Sequence, residues 1–211
     1  GGGGDDILSG GSGNDTLVGG SHSVGGWNTL DGGGNSDTVD YSGETGKVYA
    51  DLSLVQDVGY IDNGSGFVFN DVLISIENLT GGANNDQLTG DGTANVLNGH
   101  LGNDVINGGG GDDTLLGGGK TVGGFDVLYG EGGSDTASFE GVTSVVYADL
   151  LANNQTGVGV AYLNAGAGFV HESLLFTMEN LTGGSGNDIL LGDVNGNRLR
   201  GSGGADFMLG Q

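Results

Sequence analysis

Residues 10–18 read Gly-Gly-Ser-Gly-Asn-Asp-Thr-Leu-Val, and the same nine-residue pattern returns along the whole chain. Residues 108–116 (GGGGDDTLL) and 183–191 (GGSGNDILL) repeat it almost letter for letter. Each copy follows Gly-Gly-x-Gly-x-Asp-x-aliphatic-x, in which six loop-forming residues precede three that favour a strand. The pattern therefore predicts a stack of short strands joined by tight, glycine-rich turns.

Glycine and acidic side chains dominate the composition. The chain has 211 residues with 51 Gly and no Pro, and acidic residues outnumber basic ones 27 to 4, for a formal charge of −23. Collagen is excluded because proline is absent and the glycines do not fall at every third position. A chain this acidic repels nucleic acid and anionic membranes, so neither is expected as a partner, and it has no apolar run long enough for membrane insertion. Metal cations are its natural counter-charge, but without Cys the sites cannot use thiolates.

Nonapeptides alternate with segments of another kind. These segments hold most of the aromatic residues and show the alternation typical of strands, as in Val48-Tyr49-Ala50-Asp51-Leu52. Glycines interrupt every window long enough for an ordinary helix, so we expect an all-β fold. The predicted organisation is one continuous solenoid over residues 1–211, with nonapeptide blocks at 1–40, 81–138 and 183–211 and variant strand segments at 41–80 and 139–182.

The sequence also contains a repeat much longer than the nonapeptide. VYADL at residues 48–52 returns at 146–150, and ENLTGG at 77–82 returns at 179–184, so the chain is a tandem array of units of about 100 residues. Because the chain begins and ends within nonapeptides, we expect it to be a piece of a longer protein. We expect the variant segments to form wider turns of the same solenoid, and independent inserted domains are the alternative.

Stacked loops of this composition suit calcium. Glycine permits the left-handed backbone of a tight loop and lets carbonyl oxygens converge, and the Asp at the sixth position adds a carboxylate. Ca²⁺ takes about six to eight oxygen ligands, more than one loop can supply. Two nonapeptides make one coil, so each loop lies against the loop two units away, about 4.8 Å along the stack. The predicted ligands are the sixth-position residues Asp6, Asp15, Asn28, Asp37, Asp86, Asn95, Asp104, Asp113, Asp126, Asp135, Asp188, Asn197 and Asp206, with the loop glycines Gly11, Gly13, Gly109, Gly111, Gly184 and Gly186.

Each predicted ion is shared between two loops. The Asn positions offer an oxygen without a charge and predict weaker or empty sites, whereas Asp91 and Asp193 replace a loop Gly and are either extra ligands or surface charges. Because the loops gather like charges and each coil buries few aliphatic side chains, we expect folding to need the metal. The pairs are Asp6 with Asn28, Asp15 with Asp37, Asp104 with Asp86 or Asp126, Asp113 with Asn95 or Asp135, and Asp188 with Asp206, which gives about seven Ca²⁺ ions if all are occupied.

The nonapeptides resemble the RTX, or haemolysin-type calcium-binding, repeats of secreted bacterial proteins. The segments that carry VYADL and ENLTGG look like the interspersed segments of large RTX proteins. The resemblance implies a right-handed parallel β-roll, the hand that parallel crossovers also favour. It further implies type I secretion and calcium-triggered folding outside the cell, hence a secreted or cell-surface bacterial protein.

Three function classes stay open. The first is a calcium-stabilised structural and secretion module, for example of an adhesin, with neighbouring repeats of the same parent chain as partners. The second is an accessory C-terminal domain of a secreted protease, lipase or alginate epimerase, and the third is an ice- or surface-binding solenoid. We do not expect this segment to be an enzyme, because His171-Glu172 begins like HExxH but Leu175 replaces the second His, and no G-x-S-x-G occurs. Trp27 and Phe125 lie at matching loop positions and either form a carbohydrate-binding patch or cover the adjacent coil.

Overall fold

The computed structural model describes the chain as short β-strands joined by loops. The described residues are 1–20, 26–54, 57–62, 67–118, 124–153, 158–164 and 169–211, and within these ranges the model contains no helix. The strands are β1 (Ile7–Ser12), β2 (Thr16–Leu17), β3 (Thr29–Gly34), β4 (Thr38–Asp40), β5 (Lys47–Asp51), β6 (Asp57–Asp62), β7 (Phe67–Ile74), β8 (Asn78–Thr80), β9 (Gln87–Thr89), β10 (Val96–Asn98), β11 (Val105–Gly110), β12 (Thr114–Leu116), β13 (Asp126–Gly132), β14 (Thr136–Ser138), β15 (Val145–Asn153), β16 (Val158–Asn164), β17 (Phe169–Phe176), β18 (Asn180–Thr182), β19 (Ile189–Leu191), β20 (Leu199–Arg200) and β21 (Phe207–Leu209).

These strands form two sheets. Sheet A has 13 strands in the order β1-β3-β7-β6-β5-β9-β11-β13-β17-β16-β15-β19-β21. Sheet B has eight strands in the order β2-β4-β8-β10-β12-β14-β18-β20. Within the nonapeptide blocks the chain alternates between the sheets, because each nonapeptide contributes one strand and the next loop carries it across.

Neighbouring coils pair in parallel and in a fixed register. Leu79 lies beside Leu97, one coil of 18 residues further on. Leu8 lies beside Leu30, because the loop between them carries a four-residue expansion. The expanded part of that loop lies outside the described residues, and strands β1 and β3 on its two sides pair in a regular register. The predicted all-β parallel β-roll is confirmed by this pairing.

One aliphatic side chain from each coil strand fills the space between the sheets. Because side chains alternate along a strand, the flanking positions point outward, and Val96 and Val105 are 47% and 41% exposed. The inward residues form two facing columns with almost no solvent exposure. The fully buried members include Leu30, Leu79, Leu88, Leu97, Ile106, Leu115, Leu128, Leu181 and Leu190.

The variant segments differ from the wider turns that the sequence predicts. Each contributes three strands to sheet A that run back and forth: β5 pairs antiparallel with β6, and β6 antiparallel with β7. The outer strands then rejoin the parallel stack, since β7 pairs with β3 and β5 with β9. Strands β15, β16 and β17 repeat this arrangement in the second unit. Alternating hydrophobicity reports which face of a strand is buried but not the direction of its partner, so sequence alone did not reveal the reversal.

Sheet B is not interrupted by these segments. β8 pairs directly with both β4 and β10, so that Val39, Leu79 and Leu97 are consecutive neighbours. The residues that follow β4 run beside the following turn, where the Tyr41 N–H donates to the Thr80 carbonyl at 2.9 Å. Each variant segment thus adds three strands to sheet A and one to sheet B.

Candidate metal centre

The sixth-position side chains form two rows along the two sides of the solenoid. The members of the A row directly precede strands of sheet A, except Asp126, which begins β13, and Asp71, which lies within β7. The members of the B row directly precede strands of sheet B, except Asn197, which lies one residue further from β20. Consecutive members of the B row lie in adjacent coils, whereas in the A row inserted strands separate Asp71 from Asp86 and Asp126 from Asp188. The A row is Asp6, Asn28, Asp71, Asp86, Asp104, Asp126, Asp188 and Asp206, and the B row is Asp15, Asp37, Glu77, Asn95, Asp113, Asp135, Glu179 and Asn197.

Within the nonapeptide blocks, a ladder of hydrogen bonds joins neighbouring members of each row. One side-chain oxygen accepts the backbone N–H of the equivalent residue in the preceding coil, as when Asp15 donates to Asp37 Oδ1 at 2.7 Å. All the loop pairs predicted from the sequence are neighbours in this way, while their role as ligands stays a prediction. The pairs and their N···Oδ1 distances are Asp6–Asn28 3.0 Å, Asp15–Asp37 2.7 Å, Asp86–Asp104 2.8 Å, Asn95–Asp113 2.8 Å, Asp104–Asp126 2.9 Å, Asp113–Asp135 2.9 Å and Asp188–Asp206 2.9 Å.

The second oxygen of several carboxylates has no partner. Five Oδ2 atoms are buried without a hydrogen bond, which costs free energy unless a cation or donor compensates. The pattern indicates that a positively charged group belongs beside them. These atoms are Oδ2 of Asp15, Asp37, Asp104, Asp113 and Asp135.

Carbonyl oxygens from the next coil face the same places. An added Cβ on Gly10 would lie 2.7 Å from Asp15 Oδ2 and 2.8 Å from the Gly32 carbonyl oxygen. At Gly108 the same position would be in contact with Asp113 Oδ2 and 2.9 Å from the Gly130 carbonyl oxygen. The first glycine of each loop therefore leaves open a small space that a carboxylate and a carbonyl share. Oxygen donors of these two kinds are what Ca²⁺ prefers.

Burial makes these carboxylates resist ionisation when no metal compensates. It raises the pKa of Asp104 to about 8, and neighbouring carboxylates add to the shift. The pKa values of Asp86 and Asp113 rise to about 6, again chiefly through burial. Burial also raises the pKa of Asp135 and of Asp188. A divalent cation in the row would offset this cost by stabilising the charged form.

Among the loops that are fully described, six adopt the left-handed backbone that a tight turn requires, whereas the two loops that follow ENLT and the two Asn loops do not. In the six loops that lead to Asp15, Asp37, Asp104, Asp113, Asp135 and Asp206, the second and fourth positions are left-handed whether or not they are Gly, as His100 (φ 72°) shows. Gly184 and Gly186 do not share this conformation and lie instead against the backbone of Val142 and Ser144. The left-handed predicted glycines are Gly11 (φ 98°), Gly13 (φ 118°), Gly109 (φ 97°) and Gly111 (φ 103°).

The two loops that follow ENLT supply a hydrogen-bond donor to the second oxygen of their own Asp. The Gly184 N–H donates to Asp188 Oδ2 at 2.7 Å, and the Gly82 N–H donates to Asp86 Oδ2 at 2.5 Å. Both loops open a nonapeptide block, directly after ENLT. Their Asp is therefore better supplied with hydrogen bonds than the Asp of later loops.

The Asn loops are closed by their own side chains. Asn95 Nδ2 donates to the Glu77 carbonyl at 2.7 Å, and Asn95 Oδ1 accepts the Asp91 N–H at 2.9 Å. Asn197 makes the equivalent contacts with Asp193 and with the Glu179 carbonyl. The sequence left Asp91 and Asp193 as either extra ligands or surface charges. In the structure each is hydrogen-bonded to the Asn of its own loop.

Three members of the rows were not anticipated from the sequence. Glu77 Oε2 accepts the Asp37 N–H and Glu179 Oε2 accepts the Asp135 N–H, both at 2.8 Å. Asp71 Oδ1 accepts from Asn28 Nδ2 at 2.9 Å. The repeated ENLTGG was the available signal for the two Glu, since it leads into a coil at the same place in both units.

No cluster of three or more His, Cys, Asp or Glu side chains suited to a metal occurs in the part of the chain that the model describes. A cation in either row would therefore draw several of its ligands from backbone carbonyls. Trp27 is 66% exposed and Phe125 40% exposed, so both rings lie at the surface. Within the described ranges no helix is long and apolar enough to cross a membrane.

Comparison with known families gives one match. The family model described as the RTX calcium-binding nonapeptide repeat (four copies) matches residues 1–23, 76–105, 89–119, 122–140 and 182–211, together more than half of the chain. Comparison with curated proteins gives no match.

Proposed function

Because the chain belongs to the family of RTX calcium-binding nonapeptide repeats, we propose that it is the calcium-stabilised structural module of a secreted or cell-surface bacterial protein. The calcium-binding repeats themselves follow from the family. The proposal adds that the chain folds on binding Ca²⁺ outside the cell, after export by type I secretion. The observation that carries it is the set of buried Oδ2 atoms without partners, each beside a carbonyl of the next coil.

The ligands at an ordinary site would be one Asp Oδ2, the facing carbonyl oxygen and further oxygens of the two loops. Asp104 with the Gly117 carbonyl and Asp113 with the Gly130 carbonyl are examples. When bound, Ca²⁺ supplies positive charge where the metal-free chain has only buried carboxylates. The loops hold these two carboxylates in place, since a backbone N–H donates to each Oδ1 while each Oδ2 is left without a hydrogen-bond partner.

The donor set favours calcium over other common metals. The chain has no Cys, and neither row contains a His, so a zinc site of ordinary composition has no ligands here. Carbonyl and carboxylate oxygens in a loop of adaptable backbone suit Ca²⁺ better than Mg²⁺, which needs a small octahedral site and dehydrates reluctantly. About seven ions would occupy the predicted pairs if all of them bind.

Coupled folding accounts for the charge and the glycine content together. A metal-free chain would have to order its glycines and bring like charges to within one strand spacing, and both steps are unfavourable. Calcium sites of extracellular modules bind with dissociation constants of about 10⁻⁴–10⁻³ M. Sites in that range would leave the chain unfolded during export and fold it outside. In this role the segment is a structural spacer, and any catalysis would be carried out by other parts of a parent protein.

Circular dichroism with controlled calcium tests the proposal. We expect little β-structure in excess chelator, a cooperative gain of β-structure as Ca²⁺ is added, and a much weaker response to the same concentration of Mg²⁺. Full β-structure in chelator would contradict coupled folding. An absence of calcium binding by equilibrium dialysis would contradict the proposed function as a whole.

A further inference from the structure

The B row continues through both variant segments by means of a glutamate. Near the end of each variant segment, the six-residue loop is replaced by three residues, Ser75-Ile76-Glu77 in the first unit and Thr177-Met178-Glu179 in the second. Ser75 and Thr177 adopt the same left-handed φ of 51°. The strands that follow are in register with the preceding coil, since Thr38 pairs with Asn78 and Thr136 with Asn180. The short turn therefore takes the place of a full loop in the row.

Two oxygens converge at the first of these turns. Asp37 is fully buried, and its Oδ2 has no hydrogen-bond partner. A Cβ added to Gly32 would lie 2.6 Å from Asp37 Oδ2 and would also be in contact with the Ser75 carbonyl oxygen. The Ser75 carbonyl thus occupies the place that the carbonyl of a loop glycine has in an ordinary pair.

The second turn has the same arrangement. Asp135 is fully buried and its Oδ2 lacks a partner. A Cβ on Gly130 would lie 2.5 Å from Asp135 Oδ2 and in contact with the Thr177 carbonyl oxygen. The recurrence in both units indicates a built feature of the fold.

A second carboxylate completes each turn. Glu77 Oε2 accepts the Asp37 N–H and Glu179 Oε2 accepts the Asp135 N–H, each at 2.8 Å. Those two bonds repeat the ladder that Asp Oδ1 makes elsewhere, and the longer Glu side chain spans the shorter turn. Each Glu keeps its Oε1 for a further ligand. Two carboxylates and one carbonyl oxygen therefore lie at each turn. One of the carboxylate oxygens, the Oδ2 of Asp37 or Asp135, is buried and accepts no hydrogen bond.

We propose that each junction binds a calcium ion of its own, held by Asp37 Oδ2, the Ser75 carbonyl and Glu77 in the first unit and by Asp135 Oδ2, the Thr177 carbonyl and Glu179 in the second. These two sites are additional to the pairs of nonapeptide loops, and they rest on the proposed calcium-binding function. Among the described residues, the A row offers no equivalent arrangement at the same level. Asp71 there accepts hydrogen bonds from Asn28 Nδ2 and from the Tyr41 hydroxyl, and Ser173 takes its place in the second unit.

A purely structural role for the glutamates makes a different prediction. If Glu77 and Glu179 only accept a backbone N–H, Gln serves equally well, because its side-chain oxygen accepts the same hydrogen bond. If they bind calcium, Gln removes the charge and weakens the site. The Glu-to-Gln change therefore separates the two roles.

The experiment counts calcium ions per chain by equilibrium dialysis on the whole chain, folded in calcium and checked by circular dichroism. The variants are Glu77→Gln, Glu179→Gln and the double variant, with Glu140→Gln as the matched control because Glu140 is exposed and outside both rows. We expect each single variant to lose one ion and the double variant two, while the control keeps the wild-type number.

Each outcome has one meaning. Unchanged ion counts and affinities in both single variants would overturn the junction sites while leaving the nonapeptide sites intact. A wild-type chain that binds no calcium would overturn the proposed function instead. If the double variant does not fold, the single variants decide, since each retains one of the two junctions.

Discussion

Individual oxygens decide how the metal-free and the metal-bound chain differ in stability. At Asp37, Asp104, Asp113 and Asp135 the Oδ1 atom accepts a hydrogen bond from the neighbouring coil, while the Oδ2 atom has no hydrogen-bond partner. One side chain thus combines a structural bond with a free ligand atom. A substitution that keeps the hydrogen bond of Oδ1 but removes the ligand atom Oδ2 should stabilise the metal-free chain and destabilise the metal-bound chain.

Asp104→Asn is such a substitution. The Asn Oδ1 can still accept the Asp86 N–H, and the new Nδ2 faces the Gly117 carbonyl, as Asn95 Nδ2 faces the Glu77 carbonyl. Without calcium and above about pH 8, where Asp104 is ionised, we expect a gain of about 1 kcal/mol in the free energy of unfolding, since a buried charge is replaced by a donor. With calcium at about a hundred times the dissociation constant, we expect a loss of about 2.7 kcal/mol, the binding energy of one site.

Urea unfolding measures both changes, in calcium and in chelator with an osmolyte such as sucrose that favours the folded metal-free chain. Asp51→Asn is a suitable control, because Asp51 lies outside the rows and its Oδ1 accepts the Ser53 N–H, a bond that Asn also accepts. A change of the same sign in both conditions would show that Asp104 is not a ligand.

Gly10→Ala tests the space beside the carboxylate. Its methyl group would lie 2.7 Å from Asp15 Oδ2 and 2.8 Å from the Gly32 carbonyl oxygen, closer than real Cβ contacts allow. We expect the loss of one calcium ion and a higher calcium concentration at the folding midpoint. Gly34→Ala is the control, since a Cβ there meets nothing within 4 Å and its φ is not left-handed. Dialysis that finds the wild-type number of ions in Gly10→Ala would place the metal elsewhere.

At the level of elements, the first variant segment uses a hydrogen bond in the A row, whereas the junctions use carboxylates in the B row. In the first unit the hydroxyl of buried Tyr41 donates to buried Asp71 at 3.1 Å. Burial first, and then the Asp71 charge, holds the pKa of Tyr41 well above its usual range, so the hydroxyl keeps its proton. The second unit has Phe139 and Ser173 at the corresponding positions. The two units thus differ at both positions together.

Tyr41→Phe removes that donor from a buried carboxylate. We expect the free energy of unfolding in calcium to fall by about 1–3 kcal/mol. Tyr41→Phe with Asp71→Ser, which copies the second unit, should lose less than the sum of the single changes, because the two groups interact. The measurement is urea unfolding of the three variants, and additive losses would mean that Tyr41 and Asp71 are not coupled.

The sequence predicted the coils far better than the segments between them. Spacings of nine residues place Leu79 beside Leu97, and the same spacing with one four-residue expansion places Asp15 beside Asp37, because each coil depends only on its neighbour. The role of Glu77 depends on a path of about forty residues that reverses twice before it returns beside Asp37. The nine-residue period of the sequence does not predict where such a path rejoins the stack. The Asn loops lie between these cases, since the absence of charge was visible but the hydrogen bonds to Asp91 and Asp193 were not.

At the scale of the whole molecule, the rows give the metal-free chain an unusual dependence on pH. Asp104, Asp86 and Asp113 have folded pKa values of about 8, 6 and 6, above the value of about 3.9 expected for an unfolded Asp. The folded state therefore binds more protons than the unfolded state between those limits. Its stabilisation is fully present below about pH 4 and is lost as the pH rises through about 6 and then 8.

We therefore expect the calcium-free chain to gain stability when the pH is lowered from about 8.5 to about 5. Circular dichroism in chelator across this range measures the folded fraction. Asp104→Asn should flatten the upper part of the profile, above about pH 6, because its largest contributor is gone. A folded fraction that falls steadily with acid would contradict the assignment of raised pKa values.

The unequal number of strands in the two sheets sets the shape of longer arrays. Sheet A has 13 strands and sheet B eight, and each unit of about 100 residues makes sheet A two strands, or about 10 Å, wider than sheet B. Two sheets that share one core but differ in width must curve, with the wider one on the convex side. Because the excess recurs on the same sheet in both units, successive units bend the same way. A series of them would form an arc, with sheet A along its outer edge.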